Sequence, residues 1–223
     1  MPLFTVSFVP PAALTGLAVS VVDPAAILLE WDPSTIAPGD FRYYQVARSI
    51  AGGEYVLLAT LPNQADTTYT DYAAPIGPDL AYRVTQSNLD ETSAPQEANV
   101  TMDQCAWWLV TPGAPDASFE VPNVTGLESS WPLQSEEHEP IGRSRKLVET
   151  GLLLGEEGTA TAYLEPEHDP AILNLLRGAA RGTSTEVLLK SPYGEVFAVS
   201  VGTIKRTRRP GGAQEVEFRY VEV

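Results

Sequence analysis

The sequence predicts a mainly β protein made of two successive domains, an N-terminal β-sandwich and a C-terminal β-sandwich or barrel with one short α-helix. Three observations predict it. Short runs rich in β-branched and aromatic residues recur from end to end, with turn signals about every ten residues in the first half. The 19 prolines and 17 glycines are spread at intervals rather than gathered in one tract, which suits strands separated by tight connections. Only one stretch, after Asp169, carries a helix start.

In the first half, Leu17, Val19 and Val21 alternate. Ile27–Trp31 is a β-rich run closed by Asp32-Pro33. Tyr43–Ser49 is the next strand, and an Ala-Gly-Gly turn follows it. Tyr55–Leu61 and the short Thr67–Asp71 come after, and Ala81–Ser87 closes the set with Tyr82 and Val84 on one face. Trp31, Tyr44 and Tyr82 are expected in the core rather than on a carbohydrate platform, because aromatics dominate core burial. Asn99–Gln104 reads as the linker. The domains are therefore expected at 1–103 and 106–223, with a linker over about 99–105.

The second half opens with Trp107-Trp108-Leu109-Val110. Adjacent residues of a strand point to opposite faces, so at least one of the two tryptophans is a candidate for a domain or subunit contact, where tryptophan is enriched. Ser118–Val121 is expected as a short strand and Ser129–Pro140 as a solvated polar loop. Within that loop, Glu136-Glu137-His138-Glu139 is too closely spaced for its side chains to converge on one metal ion in regular structure. Lys146–Leu154 and the alternating Thr159–Leu164 read as strands. Asp169-Pro170 then supplies a capping carboxylate and a first-turn proline. Ile172, Leu175, Leu176 and Ala179 follow at i, i+3, i+4 and i+7, predicting a helix over about 170–181.

Glu186–Lys190 is expected to pair with Glu195–Gly202 across Ser191-Pro192-Tyr193-Gly194. The last hairpin is expected to turn at Gly211-Gly212. A two-residue loop there would set Arg208 opposite Glu215 and Arg206 opposite Glu217. Cross-strand ion pairs would then explain the basic run Lys205–Arg209, with docking on an acidic neighbour as the second explanation.

Charge and composition narrow the function. The formal net charge is −15, and residues 1–103 hold 12 of the 29 acidic residues but only 3 of the 14 basic ones, Arg42, Arg48 and Arg83. An acidic surface repels phosphate backbones, so nucleic-acid binding is not expected. The single cysteine, Cys105, points away from a disulfide framework. The N-terminus shows neither a basic leader nor a long apolar core, and no run approaches a membrane span. Folding in a cytoplasm is expected, without membrane insertion. No nucleophile elbow and no distinguished pair of carboxylates is present, and the expectation is a non-enzyme without metal or cofactor. Any ligand contact in the first domain would fall on loop residues such as Asp90 and Glu91.

Trp31, Tyr44-Gln45-Val46, Tyr69-Thr70-Asp71 and Tyr82-Arg83-Val84, in that order, resemble the markers of a fibronectin type III domain. Asn88 through Ser93-Ala94-Pro95 resembles that family's last hairpin loop. The resemblance covers roughly residues 11–102 and implies a seven-strand, two-sheet sandwich. The integrin-binding tripeptide of some members is absent, since Pro38-Gly39-Asp40 has proline where arginine is needed.

The second half resembles a module in minor tail proteins of long-tailed phages of actinobacteria, over about residues 106–223. The carriers are Trp108-Leu109…Pro112, Pro140-Ile141-Gly142-Arg143-Ser144, Val148…Thr150-Gly151 and Gly158-Thr159…Thr161. They continue in the Leu-rich Ala171–Leu176, Val187-Leu188-Leu189…Pro192…Gly194, Phe197…Val199…Val201-Gly202 and the closing Val221-Glu222-Val223. The resemblance implies a β-sandwich or barrel with one flanking helix, related to tail-tube and distal-tail folds. It implies a virion component at the tail tip or baseplate, a homo-oligomer (ring, trimer or hexamer), contact with other tail proteins, and a host-surface glycan as an optional ligand of the projecting first domain. The acidic stretch Glu136–Glu139 departs from the pattern. The alternative is a stand-alone carbohydrate- or protein-binding module of adhesin type. The candidate interface residues are Trp107, Trp108, Arg143, Arg145, Lys205 and Arg209.

Overall fold

The computed structural model describes residues 10–89, 91–121, 124–130, 133–138, 147–153, 157–164, 174, 177–178, 187–210 and 213–222, with backbone only at 125, 127, 133–138 and 147–153. The chain divides into two compact units at Gln104/Cys105, with Pro192–Gly194 grouped with the first.

The first unit is a β-sandwich of seven strands among the described residues. β1 (Ala18–Val22), β2 (Ala26–Glu30) and β5 (Thr68–Asp71) form one antiparallel sheet in the order β1-β2-β5. β3 (Tyr43–Ile50), β4 (Val56–Leu61), β6 (Asp79–Ser87) and β7 (Gln96–Thr101) form the other in the order β4-β3-β6-β7. This is the two-sheet, seven-strand arrangement of a fibronectin type III-like fold.

Alternation builds its core. Ile27, Leu29 and Trp31 point inward from the β2 run, Tyr44 and Val46 from β3, and Leu80, Tyr82 and Val84 from β6. Trp31 meets Tyr44 edge-on at 5.5 Å between ring centroids, a favoured aromatic geometry. The Tyr44 hydroxyl accepts from Ser34 N–H at 3.0 Å and donates to the Gln64 carbonyl at 2.9 Å. A core tyrosine thereby ties down two connections of the sandwich.

Asn99–Thr101 are not linker, as the sequence suggested, but the second half of β7. Asn99 faces Ala81, Val100 faces Leu80 and Thr101 faces Asp79. The segment is polar on its alternate exposed positions because β7 is an edge strand with one solvated face. Its local composition therefore looks like a connection.

The second unit is a seven-strand antiparallel sheet in the order β10-β13-β16-β15-β14-β8-β9. The strands are β8 (Trp107–Val110), β9 (Phe119–Val121), β10 (Val124–Ser130), β13 (Glu157–Leu164), β14 (Val187–Lys190), β15 (Val196–Arg208) and β16 (Gln214–Glu222). A separate hairpin joins β11 (Leu133–His138) to β12 (Leu147–Leu153).

Connectivity shows that the large sheet is rolled. β9 and β10 are its two opposite edges, yet Val121 and Val124 are three Cα steps apart, at most about 11 Å. In a flat seven-strand sheet the edges would lie about 29 Å apart. The sheet therefore curls on itself around one cluster that includes Leu109, Leu164, Leu189, Val201, Phe218 and Tyr220. A register shift in β15 between Val201 and Ile204 adds one residue against β16; bulges of this kind sharpen twist and bend.

Two further expectations are corrected. The expected polar loop over Ser129–Pro140 is in part strand: Ser129 and Ser130 end β10, and Leu133–His138 form β11. β11 is paired by β12, the other arm of its hairpin, so it forms a strand although its own residues are polar. The last hairpin is also out of register by one. Arg208 faces Gln214 and Arg206 faces Val216, while Lys205 faces Glu217. Arg209 N–H donates to the Ala213 carbonyl at 2.8 Å, so three residues rather than two separate the strands, and every side-chain pairing moves one place. Asn174, Arg177 and Gly178 are helical. The rest of the helix expected over 170–181 lies outside the described residues.

Candidate interaction surface

Charge is distributed differently on the two faces of the β15–β16 hairpin. On the outer face, Lys205 Nζ meets Glu217 Oε1 at 2.7 Å, and the Arg209 guanidinium is paired with Glu215. That pairing raises the Arg209 pKa, first through the hydrogen bond and then through the charge of Glu215. Further along β16, Arg219 Nη2 reaches Glu157 Oε2 on β13 at 2.5 Å. All three pairs are partly exposed, the condition under which ion pairs contribute little to stability.

The opposite face of the hairpin carries Val216 and Phe218 into the core. In the same row stand Arg206 and Arg208, both exposed. Opposite them are an apolar side chain and an amide, Val216 and Gln214. Gln214 is 4% exposed, and its Oε1 is buried without a hydrogen-bond partner. The sequence singled out the basic run as a whole. It did not single out these two arginines, because its register gave Glu217 and Glu215 to them.

Of the other candidates, Trp107 is half-buried and packs against the core of its own unit. Trp108, its neighbour on the other face, stands opposite Glu120 and Lys190; its indole N–H is buried without an acceptor. Arg143 and Arg145 lie outside the described residues, as do Asp90 and Glu139. Among the described residues no three metal-ligating side chains gather, and no helix is long and apolar enough to cross a membrane. Cys105 is free and exposed.

Among the described residues, grooves open on the surface, and two of them bear on function. One, of about 380 Å³, is lined by Glu128, Ser129, Ser130, Glu157, Thr159 and Arg219. The other, of about 360 Å³, lies at one end of the sandwich between Arg42, Tyr43, Leu89, Glu91 and Thr92. Hydrogen bonds hold its rim: Glu91 N–H donates to Asn88 Oδ1 at 2.7 Å, and Arg42 N–H donates to the Ser87 carbonyl at 2.9 Å. The Arg42 side chain is exposed. By contrast, Arg48 is paired with Asp71 at 2.6 Å and Arg83 lies 3.9 Å over the Tyr55 ring. Glu91 on this groove is one of the loop residues on which the sequence placed any ligand contact of the first domain.

The chain matches no family profile and no curated relative. Among solved structures it is similar to "Structure of FN3tt mut", at 18% identity and a TM-score of 0.34, covering 42% of this chain and 98% of the other. It is also similar to an Fn3-like protein from Clostridium thermocellum, at 28% identity and a TM-score of 0.35, covering 43% of this chain and 97% of the other. A third likeness, to a structure of titin kinase and its flanking domains, has 12% identity and a TM-score of 0.36, covering 96% of this chain but 38% of the other. The fold of each unit is defined above by its own strand order and core.

Proposed function

We propose that this chain is a structural protein of a bacteriophage tail, a minor tail protein at the tip or baseplate. Residues 106–223 would assemble into the tail, and the N-terminal sandwich would project toward a neighbouring tail protein or the host surface. The observation that carries the reading is the ordered set of motifs from Trp108 to Val223, which resembles the tail module. A rolled antiparallel sheet is compatible with it, being a form suited to ring-building folds, and so is the company of a fibronectin type III-like sandwich. The role is geometric, not catalytic: subunit contacts hold the assembly, and no cofactor enters. Because fold alone does not fix function, the test is location. Immunogold electron microscopy of a phage lysate from the source, with antibody to the recombinant chain, should place gold at the tail tip. Unlabelled particles, with the protein free or on cells, would overturn the proposal.

The second reading, a stand-alone binding module, is favoured by the groove at Arg42. An arginine beside an amide and hydroxyl groups, with Leu89 exposed, offers polar and apolar contacts to a small anionic or sugar ligand. A glycan screen on the purified chain, with Arg42→Ala as control, separates this reading from the first.

A further inference from the structure

Among the described residues, Arg206 and Arg208 have no ion-pair partner. The outer row of the hairpin is neutralised by Glu217 and Glu215. The other row puts two exposed guanidinium groups two residues apart on one strand, about 7 Å, with no carboxylate opposite either. Like charges at that spacing repel, and no ion pair among the described residues offsets the repulsion. Beside them the buried Gln214 Oε1 lacks a donor, although buried acceptors are nearly always paired. Two exposed cations without an ion pair among the described residues therefore share one patch, and the buried Gln214 lies beneath it rather than on it. A guanidinium matches a carboxylate through two parallel hydrogen bonds.

The sandwich of another copy offers the complement. Residues 1–103 carry 12 acidic side chains against three arginines, two of which are engaged by Asp71 and Tyr55. Asp23, Glu30, Asp40, Glu54 and Asp103 are all exposed. A nucleic acid would supply anions too, but the net charge of −15 opposes its approach. We infer that the Arg206–Arg208 patch docks carboxylates on the sandwich of a second copy of this chain. This deepens the assembly role proposed above and rests on it for the choice of partner. The contact joins two different surfaces, so it is heterologous and propagates into a ring or a filament.

The test is sedimentation velocity on the full chain at about 50 mM and about 500 mM salt, concentrations that bracket weak and strong screening. The expected result is concentration-dependent association at low salt that is lost at high salt. Arg206→Glu with Arg208→Glu should weaken it at least about tenfold, a loss in the range seen when buried interfacial charge pairs are broken. A second variant, Arg206→Lys with Arg208→Lys, keeps the charge and supplies amines for carbodiimide coupling in a mixture of isotopically labelled and unlabelled chains. Coupling of peptides that contain the substituted positions 206 and 208 to carboxylates of residues 10–103 of the other copy supports the inference. No association at low salt, association indifferent to charge reversal, or coupling confined to residues 105–222 would each overturn it. So would retention on DNA at low salt without self-association. A chain that stays monomeric while gold marks the tail tip overturns this inference alone; self-association without tail label overturns the tail reading alone.

Discussion

The Tyr82 hydroxyl donates to Asp71 Oδ2 at 2.8 Å inside the sandwich. The same oxygen receives Arg48 Nη1 at 2.6 Å, and Oδ1 accepts from Ala73 N–H at 3.0 Å. The Asp71 side chain is 2% exposed and that of Arg48 14%, so a charge is buried and fully met by donors. This cluster ties the edge strand β5 of one sheet to β3 and β6 of the other.

Tyr82→Phe removes one of three donors from that carboxylate. The expected cost at pH 7 is about 1–2 kcal/mol, within the range for a hydrogen bond to a charged group. Arg48→Ala should cost more, about 3–5 kcal/mol, because it strands a buried charge. Burial, and then the nearby Asp71 charge, raises the Tyr82 pKa well above the ordinary value of 10.0. A raised folded pKa means that the contribution is complete below about pH 10 and declines above it, where the unfolded chain releases a proton that the fold retains. Urea melts at pH 7 and above pH 10 should therefore show the gap between wild type and Tyr82→Phe narrowing at the higher pH.

The β3–β4 connection holds Ala51 at φ 49° and Gly52 at φ 73°, and Gly53 N–H donates to the Ile50 carbonyl at 2.9 Å. Positive φ at both central residues is the type I′ pattern, for which Asn-Gly is the preferred pair. Alanine in the left-handed region is strained. Ala51→Asn should therefore stabilise the sandwich, by about 0.5–1 kcal/mol. Chemical denaturation would register it as a higher midpoint with an unchanged slope.

How far the sequence could be read depended on whether a feature was local. Ile27–Trp31, Tyr43–Ser49 and Ala81–Ser87 announced their strands because alternation and apolar content coincide there. β10 and β11 went unread because Ser129–His138 is polar, and its pairing is supplied by β13 and β12 from elsewhere in the chain. The cross-strand ion pairs of the last hairpin were legible in kind but not in partner. A turn longer by one residue, invisible in the Gly-Gly signal, moved Glu217 from Arg206 to Lys205. The same slip concealed the unpaired row at Arg206 and Arg208.

The close approach at Gly158 gives a sharper test of the rolled sheet. A Cβ there would lie 2.5 Å from the Glu128 carbonyl oxygen and 2.6 Å from the Tyr220 hydroxyl, and Tyr220 is fully buried. Neither neighbour is the free end of a flexible surface side chain. Gly158→Ala should cost about 1–3 kcal/mol, as overpacking does. On β10, a Cβ at Gly126 would meet only Thr161 Cβ at 4.0 Å. Gly126→Ala should accordingly leave the denaturation midpoint within about 0.5 kcal/mol of wild type, the span of ordinary exposed substitutions. Equal effects from the two would contradict the packing of β13 between β10 and β16.

The register of β15 against β16 can be read energetically. Lys205 and Glu217 face each other and are joined at 2.7 Å, with side chains 70% and 40% exposed. A double-mutant cycle with Lys205→Ala and Glu217→Ala should give a coupling of about 0.2–1 kcal/mol at low salt, typical of exposed pairs. It should shrink at about 0.5 M salt, where the screening length falls to a few ångströms. Arg206 lies on the other face of the strand, opposite Val216. The cycle with Arg206→Ala and Glu217→Ala should therefore give no coupling beyond error. The opposite result, coupling to Arg206 and none to Lys205, would restore the two-residue turn at Gly211-Gly212. It would also return Arg206 and Arg208 to ion pairs with Glu217 and Glu215, leaving no unengaged cations on the hairpin for a second copy to meet.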